Sequence, residues 1–312
     1  MPKPRRLSIA LAPPVPLILL VLVALVAAAC GAGGPLGGDK PTVRIGSTNF
    51  AEQLIVGELY GQILEANGYT VERRFNLGNR EIVFPALESG EIDMEVDYLA
   101  TLLAFVDPDA TGSTDPDETI AALREALAPR GLTVLDYAPA VDQNGIVVTR
   151  ETAERYGLTK ISDLAPIAGD LVFGGPPECP NREFCAIGLR DVYGITFKEF
   201  KPLDVGGPVT VQALEAGEID VALLFTSDAV IAVRDFVLLD DDRSLQLSDN
   251  VAPVVRNDLL DRAPDDFERL INSVSEKLTT EELTELNRQV GVERRDPDDV
   301  AREWLQRQGL IQ

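Results

Sequence analysis

The chain has 312 residues, with 28 basic and 51 acidic side chains, and its net charge of −23 disfavours contact with the phosphate backbone of nucleic acids. It contains no histidine and three cysteines, which excludes histidine-dependent catalytic triads, histidine-ligated zinc and four-cysteine metal centres. We therefore expect no catalytic residue, no metal, no cofactor and no nucleic-acid partner.

The first 29 residues are predicted to be a signal peptide. Lys3, Arg5 and Arg6 precede an apolar run over residues 15–29, which is shorter than the roughly 20 residues of a membrane span. Three alanines lead into Cys30, as at the cleavage site of bacterial lipoproteins, where the cysteine carries the lipid. A secreted protein cut before Cys30 and an uncleaved signal anchor are the alternatives. Residues 30–41 are glycine-rich and predict a flexible tether.

Strand and helix patterns alternate after the tether. A strand at 42–46, a helix at 53–66 and a strand at 70–75 predict a βαβ unit with a parallel sheet. Asn49 followed by Glu52 has the spacing of a capping box, so Asn49 is expected to cap the helix. Further on, the pattern predicts a helix at 116–127 capped by Asp115, strands at 132–135 and 144–149, and helices at 267–277, 280–290 and 297–308.

An internal repeat indicates two lobes of related build. Ala-Leu-Glu-Ser-Gly-Glu-Ile-Asp at 86–93 recurs at 213–220 with seven of eight residues identical. Each copy predicts a helix end followed by a strand, with an aromatic residue, Tyr98 or Phe225, five positions after the aspartate. Ligands bind beyond the carboxyl ends of strands in open parallel sheets, so both rings are expected at a cleft between the lobes. Alternatively, both belong to the core. Asp93 and Asp220 are expected to be structural.

Cys179 and Cys185 are six positions apart and are expected to form a disulfide, because an exported protein meets an oxidising compartment. A redox-active pair is the alternative.

An ordered series of segments resembles the substrate-binding proteins of osmoprotectant ABC transporters, which handle glycine betaine, choline, carnitine or proline betaine. The resemblance covers essentially all of residues 42–312, and its segments are 46–53, 81–84, 86–93, 97–101, 162–164, 193–194, 224–228, 239–242 and 250–253. It implies an α/β, type II periplasmic-binding-protein fold, in which two lobes with parallel-type sheets enclose a ligand cleft. Lobe I is predicted at 42–142 plus 249–312, and lobe II at 143–248.

The resemblance also implies roles for individual residues. In this family a quaternary ammonium lies in a box of aromatic rings, and donors hold a carboxylate. At the matching positions, Tyr98 and Phe225 are box residues, while Thr101 and Arg182 donate to the carboxylate. Arg182 alternatively anchors the loop between the cysteines. Asn49 is a ligand contact through its loop, besides its predicted capping role.

Three positions depart from the family pattern. Thr48 stands where relatives commonly have lysine, and Gly145 and Asp249 stand where box tyrosines are expected. Asp249 is expected to offset part of this loss by pairing with a cation, and a site with Gln143 and Asn144 suits a larger, more hydrogen-bonding solute. The predicted ligand-binding residues are Thr48, Asn49, Tyr98, Thr101, Gln143, Asn144, Arg182, Phe225 and Asp249.

The expected function is that of a monomeric, extracytoplasmic solute-binding lipoprotein. Its lipid would anchor it to the outer face of the cell membrane, where it delivers a small polar solute to an ABC permease and its ATPase subunits. The same transport role with an altered ligand class is one alternative. A lyase or a ligand-sensing domain on the same fold is another.

Overall fold

The computed structural model describes residues 40–110 and 112–312. The predicted signal peptide, Cys30 and the tether up to residue 39 lie outside the described residues. Lys40, at the end of the predicted tether, forms an ion pair with Asp266 at 2.7 Å.

Lobe I is built on a five-stranded sheet. Its strands are β1 Thr42–Thr48, β2 Thr70–Gly78, β3 Met94–Tyr98, β4 Leu132–Val134 and β10 Val251–Arg256. They lie in the order β2-β1-β3-β10-β4. β1 is parallel to β2 and β3, whereas β10 is antiparallel to β3 and β4.

Lobe II repeats this plan. Its strands are β5 Asn144–Thr149, β6 Val172–Gly175, β7 Glu199–Pro202, β8 Val221–Phe225 and β9 Phe236–Leu238. Their order is β7-β6-β8-β5-β9, with β6 parallel to β7 and β8 and with β5 antiparallel to β8 and β9. Both sheets are therefore mixed rather than purely parallel, because the strand that enters from the other lobe runs against its neighbours.

The helices cover the sheets, and none in the described part of the chain is long and apolar enough to cross a membrane. In lobe I they are α1 Ala51–Ala66, α2 Arg80–Ser89, α3 Leu99–Val106, α4 Pro116–Leu127, α9 Asn257–Leu260, α10 Phe267–Ser275, α11 Thr280–Asn287 and α12 Pro297–Arg307. In lobe II they are α5 Arg150–Tyr156, α6 Gly188–Tyr193, α7 Pro208–Glu215 and α8 Val230–Val233.

Each lobe has its own apolar core. Clusters that include Trp304 and Phe84 cover the two faces of the first sheet, and clusters that include Phe173 and Leu214 cover those of the second. Each of the four clusters consists of residues from one lobe only. The lobes are therefore separate packing units, which is what a hinged pair requires.

The chain passes between the sheets twice, within residues 135–143 and 239–250. Val141 and Asn250 form an antiparallel bridge, so the two crossing segments lie side by side. The boundaries expected from the sequence, after residues 142 and 248, fall inside these segments.

The repeat consists of two copies of one structural element. Asp93 accepts a hydrogen bond from the backbone N–H of Arg44 at 2.9 Å, and Asp220 accepts one from that of Val172 at 2.8 Å. In each lobe the aspartate joins the start of one strand to its parallel neighbour. The expectation that both aspartates are structural is confirmed.

The capping box predicted for α1 is wrong, although Asp115 caps α4 as expected, accepting from the N–H of Asp117 at 2.9 Å. Helix α1 begins at Ala51 and has no side-chain cap. Glu52 does not turn back toward the chain, because its buried carboxylate accepts hydrogen bonds from three other side chains. Those bonds replace the single amide contact that a capping box offers.

Candidate ligand-binding site

A cavity of about 440 Å³ lies between the two lobes. Thr48 and Tyr98 reach it from the carboxyl ends of β1 and β3, and Phe225 reaches it from the end of β8. The start of α2 and the segment around the cysteines complete the lining. This is the position in which open α/β sheets bind ligands.

The structure brings together eight of the nine residues that the sequence singled out. The cavity is lined by Thr48, Asn49, Tyr98, Thr101, Asn144, Arg182, Phe225 and Asp249. Gln143 is not among the lining residues, because its side-chain amide donates to the carbonyl of Leu247 in the neighbouring crossing segment.

The residue of β5 that faces the cavity is Asn144, not Gly145. Successive residues of a strand point to opposite faces of the sheet. A Cβ atom at Gly145 would lie 2.7 Å from Leu238 Cδ1 and so would point away from the cavity. The side chain that β5 contributes to the cavity lining is the amide of Asn144.

Three aromatic rings form a continuous wall across both lobes. Phe50 stacks on Phe225 with 5.0 Å between ring centroids, and on Tyr98 with 6.4 Å. The sequence analysis missed Phe50, although an aromatic residue in the loop directly after β1 is a signal that the strand-end rule could have used. Tyr98 and Phe225 border the cleft as expected, and Phe50 is the ring that joins them.

Arg182 also lines the cavity and connects the lobes. Its guanidinium forms an ion pair with Glu81 of lobe I at 2.8 Å and lies 5.8 Å from the centre of the Phe105 ring. Burial and the nearby charge of Arg80 lower the pKa of Arg182 from its usual value. Its Nε is buried without a hydrogen-bond partner among the described residues, and it is therefore available to a ligand acceptor.

Arg80 is a second cavity arginine, and the sequence analysis missed it. Its guanidinium holds Asp97 through two hydrogen bonds of 2.8 and 2.5 Å, and it donates to Thr101 Oγ1 at 2.8 Å. The hydroxyl of Thr101 also bonds the carboxylate of Asp249, so Thr101 links Arg80 to Asp249 at the edge of the cavity.

Asp249 is occupied by protein groups. It is 1% exposed, and its carboxylate accepts from the backbone N–H of Thr101 at 2.8 Å. Burial raises the pKa of Asp249 to about 7, an effect that the charge of Arg80 partly opposes. A carboxyl group that is half protonated near neutral pH is a weaker partner for a ligand cation than the sequence suggested.

Cys179 and Cys185 form a disulfide with 5.3 Å between their Cα atoms, and both residues border the cavity. The bridge closes a short loop that carries Arg182. It therefore restricts the backbone that aims this arginine at the cleft.

Replacing both cysteines by serine is expected to lower the free energy of unfolding by roughly 2 kcal/mol, since a short loop is no longer closed in the unfolded chain. Thermal unfolding with and without a thiol reductant measures this effect. The reductant should destabilise the original protein and leave the double-serine variant unchanged. Equal stability of both proteins under oxidising conditions would contradict a structural role.

Comparisons with known proteins agree with this geometry. The family model of the substrate-binding domain of ABC-type glycine betaine transport systems matches residues 41–307. The carnitine transport binding protein OpuCC of Listeria monocytogenes is 26% identical over 294 residues, which is 91% of this chain and 92% of that protein. A glycine-betaine-binding protein of Pseudomonas aeruginosa is 27% identical over 283 residues, covering 86% of this chain and 89% of that protein.

A solved structure supports the same assignment of the fold. The crystal structure of a glycine betaine/carnitine/choline ABC transporter protein is 27% identical, has a TM-score of 0.69, and covers 86% of this chain and all of that one. The two-lobed periplasmic-binding-protein fold expected from the sequence is confirmed. The named relatives are solute-binding proteins of ABC transporters and not enzymes.

Proposed function

Because the chain belongs to the family of substrate-binding domains of ABC-type glycine betaine transport systems, we propose that it captures a small zwitterionic solute with a quaternary ammonium group for an ABC permease and its ATPase subunits. The observation that carries this proposal is the cavity between the lobes, which is lined by an aromatic wall and by two arginines. Glycine betaine and carnitine have this combination of a fixed cation and a carboxylate.

The ammonium group is assigned to the wall formed by Phe50, Tyr98 and Phe225. Aromatic faces attract cations by about 0.5–2 kcal/mol each when the cation is desolvated, and they do not require a counter-charge. The stacked rings span both lobes, so a cation held against them contacts lobe I and lobe II together.

The carboxylate is assigned to Arg182 and Thr101. Arg182 has a buried Nε without a hydrogen-bond partner among the described residues, and Thr101 lies beside it in the cavity lining, between Arg80 and Asp249. Hydrogen bonds between an ionised donor and a carboxylate are about twice as strong as neutral ones. Arg80 adds positive charge beside Thr101.

Capture is assigned to closure of the lobes about residues 135–143 and 239–250. The ion pair of Arg182 with Glu81 and the stacking of Phe50 on Phe225 both join the lobes at the cavity. A ligand that touches both sides favours the closed arrangement through its differential contacts.

A second candidate is a larger, partly aromatic solute taken up by the same kind of transporter. The cavity volume of about 440 Å³ lies within the roughly 300–1,000 Å³ of cavities that hold drug-sized ligands. Phe105 and Phe184 line the cavity away from the aromatic wall, and Asn144 adds an amide to its lining. These features suit a solute longer than glycine betaine.

We further propose that the protein works as a monomer outside the cytoplasm, held at the membrane by a lipid on Cys30. The charged n-region, the apolar run and the small residues before Cys30 support this placement. Mass spectrometry of the mature protein, with the added mass of the lipid on Cys30 as the readout, tests it directly.

Replacing Arg182 by methionine is expected to weaken binding of glycine betaine and carnitine about tenfold, because a charge-assisted hydrogen bond to the carboxylate is lost. Binding of choline, which has no carboxylate, should change much less. Titration calorimetry with the three solutes measures the difference.

Arg190→Met is the matched control, since Arg190 lies in the same region but is exposed and pairs with its neighbour Asp191. It should leave all three affinities unchanged. Equal losses for choline and carnitine in Arg182→Met would contradict the carboxylate assignment. If the original protein binds none of the three solutes while a screen of aromatic betaines raises its melting temperature, the second candidate replaces the first.

A further inference from the structure

A buried carboxylate, Glu52, lies directly behind the aromatic wall of the cavity and is 4% exposed. Its Oε1 accepts a hydrogen bond of 2.5 Å from the hydroxyl of Tyr98. Its Oε2 accepts from Ser227 Oγ at 2.7 Å and from Asn287 Nδ2 at 2.6 Å. Glu52 thus joins β3 and α11 of lobe I to the residues that follow β8 of lobe II.

Glu52 forms no ion pair with any of residues 40–110 and 112–312. Another buried glutamate of α1 does pair with an arginine. Glu58, six residues further along the helix, is paired with Arg73 at 2.7 Å. An ionisable group that is buried without an opposite charge is costly to retain. Three neutral donors satisfy Glu52, and all three come from side chains distant in sequence.

The position of Ser227 makes this cluster relevant to the cavity. Ser227 follows Phe225 by two residues, and its backbone N–H donates to Asp142 of the crossing segment at 3.0 Å. Glu52 therefore bonds the side chain of Tyr98 in lobe I and the side chain of Ser227 in lobe II. Ser227 lies just beyond the end of the strand that carries Phe225. No other described carboxylate bonds both sides of the aromatic wall.

We propose that Glu52 is a positioning residue, which fixes the ring of Tyr98 in the cavity wall and ties it to Ser227 of lobe II, so that ligand capture and lobe closure are coupled. This inference rests on the proposed function and adds a residue that touches no ligand. The solute meets the face of the Tyr98 ring, while Glu52 holds its hydroxyl from behind.

Several titratable groups face Glu52 from the elements packed against it. Tyr98 faces it from β3, Asp142 from the crossing segment and Asp228 from the turn after β8. Arg234 and Arg294 line a second cleft that Glu52 also borders. Burial and the charge of Glu52 raise the pKa of Asp142 well above its usual value, and the two carboxyl groups titrate as a coupled pair.

The titration of this carboxyl pair gives the coupling between ligand capture and lobe closure a pH dependence. A carboxyl group whose pKa is raised in the closed state favours closure at low pH, and this contribution is lost as pH rises through the raised value. In the original protein, affinity measured at pH 6 and at pH 8.5 should therefore be lower at the higher pH. In Glu52→Gln the dependence should flatten, because Asp142 no longer faces a second charge.

The test measures affinity for glycine betaine, carnitine and choline by calorimetry at both pH values. Glu52→Ala should weaken binding of whichever solute the original protein binds about tenfold, because both links across the wall are removed. Glu52→Gln should weaken it less, since an amide can still accept from one donor. Glu58→Gln is the control, a buried glutamate on the same helix away from the cavity, and it should leave affinity and pH dependence unchanged.

A double-mutant cycle of Glu52→Gln with Ser227→Ala distinguishes positioning from a general loss of stability. The two substitutions should be non-additive for affinity, because each breaks the same link. Additive effects, or an unchanged pH profile in Glu52→Gln, would overturn the proposal.

A ligand-free measurement separates this proposal from the proposed function. Small-angle scattering of the unliganded protein should give a larger radius of gyration for Glu52→Ala than for Glu58→Gln. If none of the three solutes binds but the radius still increases, the ligand class fails and the link stands. If a solute binds and neither its affinity nor the radius responds to Glu52→Ala, the link fails and the transport function stands.

Discussion

Replacing Arg80 by methionine is expected to lower the free energy of unfolding by about 3–5 kcal/mol, because it leaves buried carboxylates without their cation. The Arg80 side chain is 11% exposed and forms two hydrogen bonds with Asp97, whose side chain is 6% exposed. Asp249 and Glu95 lie in the same electrostatic environment. The loss should be read from urea-induced unfolding at constant pH.

The size of this loss should depend on pH in a defined direction. Burial raises the pKa of Asp249 to about 7, and burial together with the charge of Asp97 raises the pKa of Glu95 well above its usual value. Groups with raised pKa values bind protons in the folded state, so the folded state is favoured at low pH and this advantage is lost as pH rises. Without Arg80, nothing offsets the cost of ionising these buried carboxyl groups at high pH. The loss of unfolding free energy in Arg80→Met should therefore be larger at pH 8 than at pH 5.5.

Arg74→Met is the matched control for this prediction. Arg74 lies on β2 and pairs with Glu72 at 2.9 Å, and both side chains are about half exposed. Exposed ion pairs contribute about 0–1 kcal/mol, so the control should be close to neutral and nearly independent of pH. A similar, small effect of both substitutions would show that the pair of Arg80 with Asp97 is screened by water.

Local patterns carried most of the fold prediction. The alternation of strands and helices and the cap at Asp115 depend on residues within a few positions of each other. Short-range rules such as capping and period-2 alternation act on such neighbours, and they are readable without a structure. The family resemblance then supplied the arrangement of the two lobes.

The missed features depend on contacts between distant residues. Glu52 has the spacing of a capping box, but it bonds Ser227 and Asn287, which are 175 and 235 positions away. Asn79-Arg80-Glu81 has no unusual composition, and only the fold places Arg80 beside Asp97 and Thr101. Such partners are set by tertiary packing, which no local pattern encodes.

The side chain that β5 turns toward the cavity depends on strand parity. The match to relatives placed Gly145 at a box position, yet the cavity is faced by Asn144. Because side chains alternate along a strand, a shift of one position moves a residue to the opposite face of the sheet. Asn144 pairs with Phe225 of β8, so the two side chains lie on the same face of the sheet. The sequence alone does not contain this pairing.

Replacing Phe225 by alanine is expected to lower the affinity for a quaternary ammonium solute by about 30- to 100-fold. The ring contributes a cation–π face worth up to about 2 kcal/mol in a desolvated site, and apolar burial adds on the order of 1 kcal/mol. It also stacks on Phe50 at 5.0 Å, so its removal loosens the ring that joins both lobes. Calorimetry with choline and glycine betaine measures the effect.

The contribution of charge is separated from that of size by a neutral isostere of choline, 3,3-dimethylbutan-1-ol. Phe225→Leu keeps an apolar side chain but removes the ring face, so it should weaken binding of choline more than binding of the alcohol. Phe200→Leu is the control, because Phe200 is a partly buried aromatic residue of the same lobe that packs on Phe173, away from the cavity. An equal loss for cation and alcohol would mean that Phe225 acts as an apolar surface only, and the ammonium group would then have to lie elsewhere in the cavity.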